Sequence, residues 1–522
     1  MIRSRSQLAA ALLVFCVLPA PVAQEGQEAP EAPEAPEAPE PKVLGAKEAK
    51  SFRKLLRPGT SLPRRSPAIQ ELAAYDNADA VKLLAEGVFA SFGEIVDLEK
   101  QRAEIDRKID NLMLPRMKSG ARDGVVDYTG IEEWQKVQNR LGQRITLEEQ
   151  ALRIYRESLI GIEDEAARTH LRKLRPRRPE RLILFLIELY GHYDQDPFTE
   201  RLIDLLSDRD FDVRLAAAEA LSHHDQRRVP VEVYGGLLNA DEWQARAVAI
   251  SALGRHGGNQ AVALLIERTA LEQGRLLSDV CDRLEILTGQ KFGNTPSAWI
   301  NWWYETRQSF RSDRVVLTRP VRAEREGQTR YWGIQVDSLR VVFVIDVSGT
   351  MAADLKDPDD LAPPPGKSRM DLARREVKNV IASLPSDASF NVIAYNDFVM
   401  SWEDRLQPAT PSNKQRSQAF LDDLFPFGAT NIYDSLEQAF RISAPGTKDK
   451  YYDQSADTIL FLSDGGPTAG RTSEPEEILA AVRDWNKVKK VVVHVIGIGK
   501  QIYKPLLTQL AEQNGGEFRL ID

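Results

Sequence analysis

Cysteine is nearly absent: Cys16 and Cys281 are the two in 522 residues. Cys16 falls in a segment that reads as a removable leader, so a disulfide framework or a thiolate zinc site within one mature chain is excluded. Histidine is also sparse. His170, His192, His223, His224 and His256 are scattered without metal-ligand spacing and read as surface or core-edge residues, and His494 sits in an apolar run as a core histidine. Positive charge is not in excess, because 69 Lys and Arg stand against 77 Asp and Glu for a net −8. Composition therefore makes no case for nucleic-acid binding. No apolar run approaches the roughly 20 residues that a transmembrane helix needs, which excludes a polytopic membrane protein. A 42% hydrophobic, 28% charged composition excludes a wholly disordered one. The chain is long enough for two to four domains, each with its own core.

The first 23 residues have export-signal anatomy. Arg3 and Arg5 precede an apolar run from Leu8 to Ala20, and the small-residue stretch Ala20-Pro21-Val22-Ala23 follows. The alternative is an uncleaved short anchor. The expected location is secreted, periplasmic or otherwise at the cell envelope. Residues 24–66 then read as a spacer, because four Glu-Ala-Pro triplets from Glu28 to Pro39 favour extended, self-repelling chain. A Pro-rich ligand for a partner groove is the functional alternative.

Residues 67–178 read as helical. Leu98, Ile105 and Leu112 recur every seven residues, and a second amphipathic stretch runs from Ile131 to Leu159. Pro115, Gly120, Gly124 and Gly130 make the segment between them a turn, so the two stretches form an antiparallel coiled-coil-like hairpin that packs internally. The Arg-rich stretches Arg53–Arg65 and Leu171–Arg181 read as solvated linkers. In residues 179–310, Asp212–Leu221 aligns with Gln244–Leu253, and Arg214 and Leu221 match Arg246 and Leu253 at a period of 32 residues. These residues resemble HEAT repeats, and the resemblance implies a scaffold of stacked helices. Trp299, Trp302 and Trp303 lie on one helical face as a packing stripe that closes the array.

From Arg340 the pattern changes. Apolar β-branched runs at Val341–Ile345, Phe390–Ala394, Thr458–Leu462, Val491–Ile498 and Phe518–Ile521 alternate with amphipathic helices near Met370–Ser383, Ile432–Arg441, Glu476–Trp485 and Lys504–Gln513. Continuous apolar strands alternating with helices imply an α/β domain with a doubly wound, mostly parallel sheet covered on both faces, after an all-α N-terminal region. Ligands of such sheets bind beyond the strands' carboxyl ends. Three polar loops belong there: Asp346-Val-Ser348-Gly-Thr350, Gly428-Ala-Thr430-Asn431 and Ser463-Asp464-Gly-Gly466. Asp346, Asp464, Ser348, Thr350 and Thr430 there offer two carboxylates and three hydroxyls, hard oxygen ligands that suit Mg²⁺, with Mn²⁺ or Ca²⁺ as alternatives and zinc disfavoured. Polar loop residues that cap helices without a metal are the bland alternative.

In these three motifs, in this order, residues 331–522 resemble the von Willebrand factor type A domain with its metal-ion-dependent adhesion site. The resemblance implies that Asp346, Ser348, Thr350, Thr430 and Asp464 hold a divalent ion directly or through water, with Thr350 in place of the more usual serine. It also implies that an acidic side chain of a protein partner completes the shell. The acidic, proline-rich stretch Ala352–Gly366 either rims that face or is an insertion without a role. Its end, Pro365-Gly366-Lys367-Ser368, lacks the first glycine of a phosphate-binding loop, since Leu361 stands there.

The expected function is thus an exported, non-catalytic adhesion or protein-binding protein with possible envelope association. The alternative is an envelope scaffold that acts through its helical array, with a structural or vestigial metal site. No nucleophile–base pair, catalytic carboxylate pair or cofactor motif supports an enzyme.

Overall fold

The computed structural model describes residues 44–123, 132–174, 180–225, 228–311, 330–355, 366–443 and 455–522. The leader, the Glu-Ala-Pro triplets and most of the Ala352–Gly366 stretch lie outside them. Thirteen helices precede the first strand among the described residues.

Helices α1 (Ala46–Leu55) and α2 (Leu62–Ala73) correct the C-terminal part of the expected spacer. Phe52 and Leu56 share one helical face, and both are buried with Ile69 and Leu72. Arg65, read as part of a solvated linker, is instead buried, and its Nη1 donates to Glu148 Oε2 at 2.8 Å. The long helices α3 (Ala78–Asp123) and α4 (Glu132–Ile160) form the expected hairpin. Their antiparallel sense shows in the pairs that approach across them: Lys108 over Trp134, Arg144 with Glu94, and Gly87 beside Tyr155. Leu98, Ile105, Leu141, Ile145 and Leu152 fill the seam. Helix α3 runs through Pro115 and Gly120 to Asp123, so the expected turn is shorter than its glycines suggested.

After α5 (Glu165–Lys173) come α6 (Glu180–His192), α7 (Asp196–Leu205), α8 (Phe211–Leu221), α9 (Val231–Leu237), α10 (Trp243–His256), α11 (Gly258–Thr269), α12 (Gly274–Thr288) and α13 (Pro296–Thr306). The 32-residue repeat has a structural reason. Arg214 Nη1 reaches back to the carbonyls of Asp208 and Arg209, and Arg246 Nη1 to those of Ala240 and Asp241, which ties each helix to the turn before it. Each arginine then pairs forward, Arg214 with Glu242 and Arg246 with Glu272. Trp299 is fully buried against Phe292 and Trp302, as a packing stripe requires. His224, read as a surface or core-edge residue, lies on the buried side of that reading. It is 2% exposed and is held between the Thr199 hydroxyl and the Tyr190 carbonyl.

A two-stranded ribbon, β1 (Arg330–Tyr331) and β2 (Ile334–Gln335), leads into the sheet. Its strands are β3 (Arg340–Asp346), β4 (Ser389–Tyr395), β5 (Val399–Ser401), β6 (Gln407–Pro408), β7 (Thr458–Ser463), β8 (Val492–Ile498) and β9 (Phe518–Ile521). The order is β5-β4-β3-β7-β8-β9; the five long strands run parallel, and β5 and β6 pair antiparallel with β4. In β3, Val341, Phe343 and Ile345 join one apolar cluster while Val342 and Val344 join another, which is why its apolar run is unbroken. The covering helices are α14 (Arg369–Ser383), α15 (Pro411–Asp423), α16 (Ile432–Ser443), α17 (Pro475–Asn486) and α18 (Lys504–Gln513).

The helical array meets this domain at the strands' amino ends. Trp243 Nε1 donates to Ser455 Oγ at 2.9 Å, and Arg275 Nη1 donates to the carbonyls of Asp457 and Lys490, which precede β7 and β8. The opposite, carboxyl-terminal edge is left to the polar loops.

Candidate metal centre

Strand order places the site. From β3 the chain crosses first to β4 on one side and later to β7 on the other, so the loops after β3 and β7 diverge and leave a crevice between them. Asp346 ends β3 and Ser463-Asp464 ends β7, and the register Ile345↔Leu462 sets them side by side. The third loop is drawn in by backbone bonds. Gly349 N donates to the Gly428 carbonyl at 3.0 Å and Phe427 N to the Val347 carbonyl at 3.0 Å. Gly428 has φ +75°, and a Cβ there would lie 1.9 Å from Asp397 Oδ2, so the turn requires glycine. That Asp397 oxygen accepts from Ala429 N and fixes the approach to Thr430.

All five expected residues thus gather at one edge; four are buried, with Asp346 0%, Ser348 1%, Thr430 5% and Asp464 1% exposed, and Thr350 is exposed. Asp346 Oδ1 accepts the Ser348 amide at 2.8 Å, and Oδ2 accepts the Ser463 hydroxyl at 2.8 Å. Ser348 Oγ stands 3.1 Å from Thr350 Oγ1, which donates to Asp464 Oδ1 at 2.8 Å. Adjacent ligands on an octahedron with 2.0–2.1 Å bonds are about 2.9 Å apart, √2 times the bond length. The Ser348–Thr350 and Thr350–Asp464 oxygen separations, 3.1 and 2.8 Å, are close to that spacing.

Electrostatics points the same way. Burial raises the Asp346 carboxyl to about 7, helped by the charge of Asp464, while the Ser348 and Ser463 donors oppose the rise. Burial also raises Asp464, against the pull of Arg369 and Thr350. Tyr395, whose hydroxyl donates to Asp346 Oδ2 at 3.3 Å, is pushed far above its ordinary range by burial and then by that carboxylate. Two desolvated carboxylates against one guanidinium leave a local excess of negative charge that a cation would relieve. The donor set fits a hard divalent ion.

Several neighbours escaped sequence reasoning. Arg369 is buried against Asp464. Thr468 clasps Thr430, since its hydroxyl accepts the Thr430 amide and its own amide donates to the Thr430 carbonyl, each at 2.9 Å. Three residues on, Arg471 pairs with Glu149 of the hairpin at 3.1 Å. Arg369 alone left a trace, one position ahead of a recognisable helix start. His494 is 2% exposed in β8, as expected of a core histidine.

Comparison with known proteins agrees with this architecture. Residues 339–520 match the family described as the von Willebrand factor type A domain, and residues 199–280 match HEAT repeats. The inter-alpha-trypsin inhibitor heavy chain H3 of Bos taurus is 29% identical over 191 residues, 36% of this chain and 20% of that protein. The chain thus matches about a fifth of the length of such curated relatives. Among solved structures, a von Willebrand factor type A protein from Catenulispora acidiphila aligns with 23% identity and a TM-score of 0.29, covering 36% of this chain and 40% of that one. Proximal thread matrix protein 1 from the mussel byssus, with a zinc-occupied MIDAS motif, aligns with 21% identity and a TM-score of 0.26 over 34% of this chain and 40% of that one. Residues 339–520 are a type A domain, and HEAT repeats precede them.

Proposed function

We propose that this chain is an exported, non-catalytic protein-binding or adhesion protein of the cell envelope or exterior. Its type A domain holds a divalent cation, Mg²⁺ first, through Asp346, Ser348, Thr350, Thr430 and Asp464. The observation that carries this reading is the row of Ser348, Thr350 and Asp464 oxygens held at 2.8–3.1 Å beside the buried Asp346 carboxylate. When bound, the ion supplies a Lewis-acid seat for a carboxylate, so an exposed Asp or Glu of a protein partner is the matching ligand. The residues themselves do the positioning: the Ser348 amide fixes Asp346, the Thr350 hydroxyl fixes Asp464, and Thr468 fixes Thr430. The HEAT-like array is the mount. Its Arg214 and Arg246 are engaged by their own turns and by Glu242 and Glu272, which argues against that arginine row as a partner surface.

The test is calorimetric titration of Mg²⁺ and Mn²⁺ into the full chain and its Asp346→Ala variant, followed by partner capture with and without EDTA. Saturable binding and capture, both lost in the variant, are expected. Capture unchanged by EDTA and by Asp346→Ala would move the function to the helical array.

A further inference from the structure

Arg369 carries a formal charge in a place where the expected ligand is a cation. Its side chain is 1% exposed, and its Nη1 donates to Asp464 Oδ2 at 2.8 Å, while the other Asp464 oxygen takes the Thr350 hydroxyl at 2.8 Å. The guanidinium is not there by chance of rotamer. Arg369 is the first residue of α14, its amide donates to the Ala353 carbonyl at 2.9 Å, and the Ser368–Asp371 capping box fixes the helix start. The space it fills is kept open by Gly499, at φ +84°, where a Cβ would lie 3.1 Å from Arg369 Cζ and Nε. Its Nε and Nη2 are buried without a hydrogen-bond partner, so its placement rests on packing and on the one charged contact with Asp464.

With Asp346 and Asp464 ionised and Arg369 cationic, the site carries −2 + 1 = −1 before any ion arrives. A divalent ion brings it to +1. We infer that Arg369 is a fixed counter-charge of the metal centre, a positioning residue that acts through Asp464. It withholds one Asp464 oxygen from the ion, weakens the site's own hold on the cation, and leaves one net positive charge for a single carboxylate from a partner. This inference rests on the metal-binding reading proposed above.

The experiment is calorimetric titration of Mn²⁺ and Mg²⁺ at pH 8 into the full chain as wild type, Arg369→Gln, Arg369→Lys and Asp346→Ala, with thermal melts of each in EDTA and in Mn²⁺. Arg369→Gln keeps a donor toward Asp464 but removes the charge, so it should bind Mn²⁺ roughly tenfold tighter or more, because like charges in a buried site are poorly screened. It should also melt lower than wild type in EDTA and gain more from Mn²⁺. Arg369→Lys keeps the charge and should bind like wild type. Equal or weaker Mn²⁺ binding by a folded Arg369→Gln chain overturns the inference, while loss of wild-type binding in Asp346→Ala shows that the metal reading stands without it. Binding by Arg369→Gln alone overturns both readings, because the arginine then fills the cation's place in wild type. Binding by none of the chains overturns both readings. A Gln variant that folds only with Mn²⁺ is support; failure of Arg369→Gln to fold in either condition, with Arg369→Lys folding, overturns the counter-charge role in favour of packing.

Discussion

The buried carboxylate of Asp346 makes the metal-free protein less stable as pH rises, which is the reverse of ordinary salt-bridged carboxylates. In the unfolded chain this group titrates near its ordinary 3.8, and in the folded chain near 7. Between those values the folded state holds a proton that the unfolded chain has released, so stability is full below about pH 4 and is lost as pH climbs through about 7. The gap of roughly three pH units, at about 1.36 kcal/mol each, sets a ceiling of roughly 4 kcal/mol on that loss. Asp464 is raised in the same direction and titrates with Asp346 as a pair. A divalent ion replaces the proton, so Mn²⁺ affinity should rise up to about tenfold per pH unit below 7 and level off above it. The assay is scanning calorimetry from pH 4.5 to 8.5 in EDTA and in Mn²⁺, with Asp346→Asn as the neutral isostere. In EDTA at pH 8 the Asn variant should melt above wild type, with no Mn²⁺ response. A wild-type melting point that is flat across this range in EDTA, or an Asn variant less stable than wild type at pH 8, would refute the reasoning.

Two further substitutions test the framework around the site. Glu148→Leu leaves Arg65, 1% exposed, without its carboxylate and should destabilise the helical region by about 3–5 kcal/mol in denaturant unfolding, while the double change Arg65→Met with Glu148→Leu should recover most of the loss. Gly428→Ala puts a Cβ at φ +75° and 1.9 Å from Asp397 Oδ2. It should cost about 1–3 kcal/mol of stability and weaken Mn²⁺ binding by displacing Thr430, read by calorimetry on one preparation.

What could be read from sequence follows from what is local. Four of the five parallel strands, β3, β4, β7 and β8, were legible because they are buried on both faces and so almost continuously apolar, while β9 is only partly buried and shows as a short apolar run. The loops Asp346–Thr350 and Ser463–Gly466 were legible because the strand carries its motif into the turn. Helix α15 was not, since only Ser417 and Leu421 are buried on it and the apolar stripe is too thin to register. Strands β5 and β6 are short edge segments of three and two residues with no pattern of their own. The fold of residues 46–66 was hidden because Arg64, Arg65 and two prolines read as linker, while burial of Arg65 depends on Glu148, 83 residues away. The same distance problem hid Arg369, whose partner Asp464 lies 95 residues on.

The two helical layers grip the type A domain at different places, and the difference bears on function. The array bonds to backbone before β7 and β8, since the Asp457 and Lys490 carbonyls both accept from Arg275. Those contacts lie at the strand ends remote from Asp346 and Asp464, so the mount leaves the candidate metal face uncovered by the array. The hairpin instead touches the flank of that face. Glu149 holds Arg471, Gln150 Nε2 donates to Glu477 Oε1 at 2.5 Å, and Arg102 lies 3.7 Å from Asp434 at the start of α16. Arg471 stacks over Tyr433 and belongs to the same loop as Thr468, which clasps Thr430. A displacement of the hairpin would therefore reach the Thr430 hydroxyl through four residues of loop, whereas a displacement of the array would have to travel the length of the strands. If partner binding and domain posture are linked in this protein, the link runs through Glu149 and Arg471 and not through the repeats.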